Sequence, residues 1–77
     1  SVDQHYVFDK TTLQEIIFLL AENYGIIAEV TDQEILNQTL SGTYTAKDGN
    51  ELLDLIQEVL DVNIIRQKDK IIFKKNI

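Results

Sequence analysis

The sequence predicts one small α+β domain, residues 1–77, in the order β-α-β-β-α-β-β, with two helices packed on or between small sheets. An aromatic lead-in, a capped amphipathic helix and a β-branched run occur in residues 8–30 and again, offset by 36, in residues 44–66. A third feature is a pair of β runs at the C-terminus, joined by Lys68-Asp69. Because one β-α-β unit cannot bury its own apolar face, we expect the two copies to pack on each other. The matching positions include Phe8 and Tyr44, Glu15 and Glu51, Leu20 and Ile56, Tyr24 and Leu60, and Ile26 and Val62.

The first copy begins with a predicted strand, His5–Asp9, followed by a turn at Lys10-Thr11-Thr12. Thr12 and Glu15 have the spacing of a capping box, which predicts the start of a helix. Gly25 can adopt the left-handed conformation that ends it. The apolar stripe of this helix follows the helical repeat and comprises Leu13, Ile16, Ile17, Leu20, Ala21 and Tyr24.

Phe18 and Leu19 lie outside that stripe, so the first helix is apolar around most of its circumference. We expect both side chains to be additional core; the alternative is that Phe18 anchors a partner. A helix covered on several sides would lie deep in the fold. The first copy is therefore expected to lie deeper than the second.

The middle of the chain contains two predicted strands, Ile26–Thr31 and Thr39–Thr45. Between them, residues 32–38 are polar, and we expect one helical turn held by Ile35 and Leu36. Gly42 leaves a gap on one face of the second strand, which predicts either close approach of a helix or a β-bulge.

The same N-capping pattern predicts the start of the second helix, with Asp48 as N-cap and Glu51 three residues later. Asp61 occupies the place of Gly25, and if the helix ends there in the left-handed region, aspartate can adopt that conformation at modest cost. Within an arc of about 160° the helix carries Leu52, Leu53, Leu55, Ile56, Val59 and Leu60. The opposite face carries Glu51, Asp54, Gln57 and Glu58, which we expect to be solvated; the alternative is that this acidic face docks a basic partner.

The C-terminal hairpin is predicted from the β runs Asn63–Gln67 and Lys70–Lys75. As an edge element it could accept a partner strand through free backbone groups. Most of the basic side chains gather here, and we expect them to be solvated. They are Arg66, Lys68, Lys70, Lys74 and Lys75.

Composition argues against several functions. A formal charge of −6 repels phosphate backbones, so nucleic acid is not an expected partner. There is no cysteine, His5 is the single histidine, and the three glycines are isolated, so we expect no metal, no cofactor and no catalytic residue. A small acylphosphatase-like enzyme is a remote alternative, because Arg66, the single arginine, sits in a late strand. No run of 18 apolar residues occurs.

Several segments together resemble the C-terminal domain of FecR-type anti-sigma factors, in the variety found in Bacteroidetes. That domain is itself similar to the short N-terminal domain of secretins and TonB-dependent transducers. The likeness covers roughly residues 6–75. It is carried by residues 8–17, by Ala21-Glu22-Asn23-Tyr24-Gly25-Ile26, by Leu40-Ser41-Gly42-Thr43-Tyr44, by Leu52-Leu53-Asp54-Leu55-Ile56 and by Lys70-Ile71-Ile72-Phe73. Asp61 departs from the family pattern, which usually has glycine there.

The resemblance implies a non-catalytic periplasmic interaction domain at the end of a single-pass inner-membrane protein. Its partners would be a transducer signalling domain and, through a cytoplasmic part absent from this fragment, a sigma factor. A transducer signalling domain or a secretin N-terminal domain is the alternative. We place the partner surface on the second copy and its hairpin, with candidate residues Glu51, Asp54, Glu58, Arg66 and Ile72.

Overall fold

Two helices and five strands form an α+β fold in the predicted order. The computed structural model describes residues 3–77. The elements are β1 (Gln4–Thr12), α1 (Leu13–Tyr24), β2 (Ala28–Val30), a 3₁₀ turn (Gln33–Asn37), β3 (Thr39–Ala46), α2 (Gly49–Val59), β4 (Val62–Gln67) and β5 (Lys70–Lys75). The predicted helical turn at Ile35 is confirmed, and β2 is shorter than the predicted strand Ile26–Thr31.

The strands form two sheets that combine the duplicated copies. The lead-in strands β1 and β3 pair antiparallel, with Tyr6 opposite Tyr44. The exit strands β2 and β4 flank β5, which is parallel to β2 and antiparallel to β4. Each sheet therefore takes a strand from both copies, which confirms that the copies pack on each other.

A single hydrophobic core joins both sheets and both helices. Phe73 on β5 is its largest fully buried side chain, and Ile35 closes it from the 3₁₀ turn. Burial of these side chains supplies the main driving force for folding. The core contains Tyr6, Phe8, Leu13, Ile16, Leu20, Ile35, Leu40, Ala46, Leu52, Leu53, Ile56, Leu60, Val62, Ile64 and Phe73.

Both helix starts are capped as predicted. The Glu15 amide donates to Thr12 Oγ1 at 3.1 Å, and Glu15 Oε1 accepts from the Thr12 amide at 3.0 Å. The Thr12 hydroxyl also donates to Glu15 Oε1, at 3.0 Å. The bond from the Thr12 amide and, after it, the bond from the Thr12 hydroxyl hold the pKa of the Glu15 carboxyl below its usual value. In α2 the Glu51 amide donates to Asp48 Oδ1 at 2.9 Å, while the Glu51 carboxylate accepts from the Lys47 amide.

The two helices end differently. Gly25 has the expected left-handed backbone, with φ of 66°. The condition considered for Asp61 is not met, because α2 ends at Val59 and Leu60 is extended, with φ of −92°. In residues 3–77, the one non-glycine residue with positive φ is Lys10. The chain thus passes from α2 into β4 without a left-handed residue.

The predicted turn at Lys10-Thr11-Thr12 is instead a β-bulge within a longer β1. The register shifts between Phe8 and Thr11, and Lys10 has φ of 52°. The Lys10 amide donates to Ser41 Oγ at 2.8 Å. Of the two alternatives for Gly42, the bulge is the one found: Gly42 pairs with Phe8 immediately before the irregularity.

Phe18 is not part of the core. Its side chain is 68% exposed, whereas Leu19 is partly buried against the core. The sequence shows which sides of a helix are apolar but not which sides another element covers. The expectation that the first copy lies deeper is also wrong, since α1 and α2 each bury three large side chains completely.

Stability should fall as pH rises from 10 to 12. The Tyr24 hydroxyl hydrogen bonds with that of Tyr6. Burial, with this bond and the Asp48 charge adding to it, raises the pKa of Tyr24 from 10.0 to about 12. In that window the unfolded chain loses the Tyr24 proton while the folded chain keeps it, so the unfolded state is favoured. Urea unfolding at a series of pH values measures how steeply the free energy of unfolding falls between pH 10 and 12. Tyr24→Phe should make that fall less steep. An equal slope in that variant would contradict the assignment.

Candidate protein-interaction site

The five candidate residues lie on two different surfaces. Side chains alternate along β5, and Phe73 is buried, so Ile72 points away from the core. Arg66 is the register partner of Ile71, on the core-facing side of the sheet, and reaches the outer side of α2. The structure therefore brings Arg66 together with the acidic face of α2 and separates both from Ile72.

The acidic face of α2 is partly occupied by contacts within the chain. Arg66 Nη2 donates to Asp54 Oδ1 at 2.6 Å. Glu51 serves the helix cap and lies 3.9 Å from the Lys47 ammonium. Glu58 is exposed and forms no salt bridge within residues 3–77. Two of the three carboxylates thus have local partners, and Glu58 is the one available to another molecule.

The basic hairpin is tied to acidic residues earlier in the chain. Lys70 Nζ lies 3.0 Å from Glu29 Oε2, and Lys75 Nζ lies 3.4 Å from Glu34 Oε1. The Lys75 amide donates to Asp32 Oδ2 at 2.7 Å, which lowers the pKa of the Asp32 carboxyl. These side chains are exposed as predicted, but the sequence did not show their ion pairs. Exposed pairs contribute little stability, about 0–1 kcal/mol each.

Only one strand of the C-terminal hairpin forms a sheet edge. β5 lies in the middle of the sheet, between β2 and β4. The expectation that the hairpin offers an edge strand therefore applies to β4 and not to β5. The reason is the parallel pairing of β2 with β5, from Ala28 opposite Ile71 to Val30 opposite Phe73.

Three isoleucines share the outer surface of the three-stranded sheet. Ile65 and Ile72 are direct register partners on β4 and β5, and both are partly exposed. Ile27, just before β2, is 72% exposed. Together they define the outer isoleucine face. At one end of it lies an open cleft of about 500 Å³, lined by Ile27, Glu29 and residues 67–70.

Sequence reasoning identified Ile72 but missed Ile27 and Ile65. The short turn at Lys68-Asp69 fixes the hairpin register and could have placed Ile65 opposite Ile72. Ile27 joins them only through the pairing of β2 with β5, a contact between segments more than 40 residues apart. No local pattern carries that information.

No group of three or more metal-ligating side chains occurs in residues 3–77 that could hold an ion. In the same part of the chain, neither helix has the length and apolar character needed to cross a membrane.

The chain matches the model of the family described as FecR, C-terminal, over residues 5–73. No curated protein and no solved structure gives a significant match. The family match confirms the resemblance that the sequence motifs indicated. Because it spans nearly the whole length, the chain belongs to the FecR C-terminal family, a regulatory, non-enzymatic family of anti-sigma-factor domains.

Proposed function

We propose that this domain is the periplasmic partner-binding module of a FecR-like anti-sigma factor. In this role it binds the signalling domain of a TonB-dependent outer-membrane transducer and passes the signal to a sigma factor. The observation that carries the proposal is the family match over residues 5–73. The parent protein would span the inner membrane and hold the sigma factor with a cytoplasmic part outside these 77 residues.

The surface supports binding to a protein. The outer isoleucine face exposes apolar side chains on a sheet whose inner face packs on the hydrophobic core. Exposed apolar groups on a fixed frame are typical of interaction sites. The formal charge of −6 favours a protein over nucleic acid.

The alternatives have less support. The family match favours the anti-sigma factor over a transducer signalling domain or a secretin domain. An acylphosphatase-like site would require an arginine free to hold a phosphoryl group. The Arg66 guanidinium is instead bound to Asp54 at 2.6 Å. We therefore propose no catalytic activity.

Titration with the signalling domain of the cognate transducer tests the proposal. The ¹⁵N-labelled domain should show saturable shift changes on addition of the purified signalling domain, and the plug domain of the same transducer should cause none. Transient signalling interfaces are often small and weak, so the titration should extend to a partner concentration of roughly 1 mM. No shift at that concentration would refute the proposal.

A further inference from the structure

We infer that the outer isoleucine face binds an amphipathic helix of the partner protein, one with an apolar stripe flanked by carboxylates. Only the partner's identity rests on the proposed function. The chemistry of the partner's binding segment follows from the shape and charge of the face.

The face has the width of one helix. Three strands spaced about 4.8 Å apart give a surface roughly 10 Å wide, close to the diameter of an α-helix. Ile72 occupies the central strand and Ile65 lies directly beside it. Ile27 comes just before the edge strand β2 and shares a cleft with Glu29, the register partner of Ile72. The inner face of this sheet is already covered by the core. A helix on the outer face would complete the layered packing in which both faces of a sheet are covered.

The positive charge around the outer isoleucine face favours a helix that carries carboxylates. Residues 62–77 carry five basic side chains and one acidic, whereas residues 1–61 carry two basic and twelve acidic. Lys70 and Lys74 alternate with Ile72 on the outer side of β5, and the carboxylate of Glu29, across from Ile72, is bound by Lys70. Within residues 3–77, Lys74 forms no salt bridge. Carboxylates flanking the helix would find a cation here, whereas most other surfaces of this chain would repel them.

Phe18 and Val7, two other exposed apolar side chains, lack this combination. Phe18 stands alone on α1, with Gln14, Glu15 and Glu22 as its polar helical neighbours. Val7 is 79% exposed on the outer side of β1, but its register partner is Thr43. Neither offers several apolar groups beside a cation.

Isoleucine methyl labelling tests the inference directly. The domain, labelled at the isoleucine δ1 methyl groups, is titrated with the transducer signalling domain and, separately, with a designed helical peptide of leucine and glutamate. A peptide with lysine in place of glutamate is the charge control. We expect the largest shifts at Ile27, Ile65 and Ile72, little change at the buried Ile16 and Ile56, and weaker binding of the lysine peptide.

Matched variants separate this face from the other candidates. The double variant Ile65→Thr and Ile72→Thr keeps β-branched side chains, so the sheet should remain folded, as a thermal melt will show. It should weaken binding roughly tenfold or more, as expected for residues at the centre of an interface. Val7→Thr on the other sheet and Glu58→Lys on α2 should change affinity by less than about twofold. A tenfold loss in Glu58→Lys with none in the double variant would overturn the inference.

The outcomes distinguish this inference from the proposed function. If the signalling domain binds but shifts map elsewhere, the inference is overturned and the proposed function stands. If the signalling domain does not bind, the proposed function fails and the designed peptides decide the inference. No binding of the glutamate peptide, or equal binding of the lysine peptide, would overturn it. A shift of the three methyl groups with anionic vesicles, and not with either peptide, would also overturn it, in favour of a membrane surface.

Discussion

Phe73→Ala should remove about a quarter or more of the free energy of unfolding of this domain. Phe73 is fully buried on the central strand β5, where its register partners are Val30 and Ile64. Truncating a buried phenylalanine costs about 3–5 kcal/mol through lost transfer free energy and the cavity left behind. The free energy of unfolding of a 77-residue domain is expected to be only about 4–12 kcal/mol. Urea unfolding followed by circular dichroism should show the urea concentration at the unfolding midpoint falling by about a quarter or more.

Ile72→Ala is the matched control, since it lies on the same strand one residue earlier and points outward. It should reduce the free energy of unfolding by only about 1 kcal/mol, because a partly exposed side chain loses less burial. If Phe73→Ala cost no more than Ile72→Ala, the assignment of the two faces of β5 would be wrong. The same control shows whether substitutions on the outer isoleucine face leave the fold intact.

Features set by neighbouring residues could be predicted from the sequence. The cap formed by Thr12 and Glu15 lies within four residues, and the left-handed end at Gly25 depends on glycine itself. The order of helices and strands could also be predicted, because apolar periodicity and turn residues are patterns of residues close together in the sequence. The duplication added one long-range prediction, that the copies pack together, and the pairing of β1 with β3 confirms it.

Features set by distant contacts could not be predicted. The bulge at Lys10 depends on Ser41, which is 31 residues away. Asp61 is not left-handed: its amide donates to Gln38 Oε1 at 2.8 Å, and its carbonyl accepts from Gln38 Nε2 at 2.9 Å. That side-chain amide satisfies the backbone groups at the junction of α2 and β4. The candidate site was incomplete for the same reason, because the position of Ile27 requires the order of the strands.

Gly42→Ala should be the most damaging single-methyl addition among the glycines with positive φ. Gly42 has φ of 126°, a region that side chains with a Cβ rarely adopt. A Cβ there would lie 3.0 Å from the Tyr44 hydroxyl oxygen and 3.1 Å from its ring. The ring cannot move away freely, since Tyr44 Oη donates to the Ser41 carbonyl at 2.8 Å and the ring packs 6.1 Å from that of Phe8. We expect a loss of about 2–3 kcal/mol in the free energy of unfolding.

Gly25→Ala provides the matched comparison, because it adds the same methyl group at positive φ without the contact. Gly25 has φ of 66°, and beyond its chain neighbours an added Cβ would meet no atom within 4 Å. The loss in the free energy of unfolding should be that of placing alanine in the left-handed region alone, about 1 kcal/mol. Urea unfolding of both variants gives the difference directly. Equal losses would contradict the predicted clash with the Tyr44 ring, whereas a Tyr44→Leu background, which removes that ring, should bring the two losses closer together.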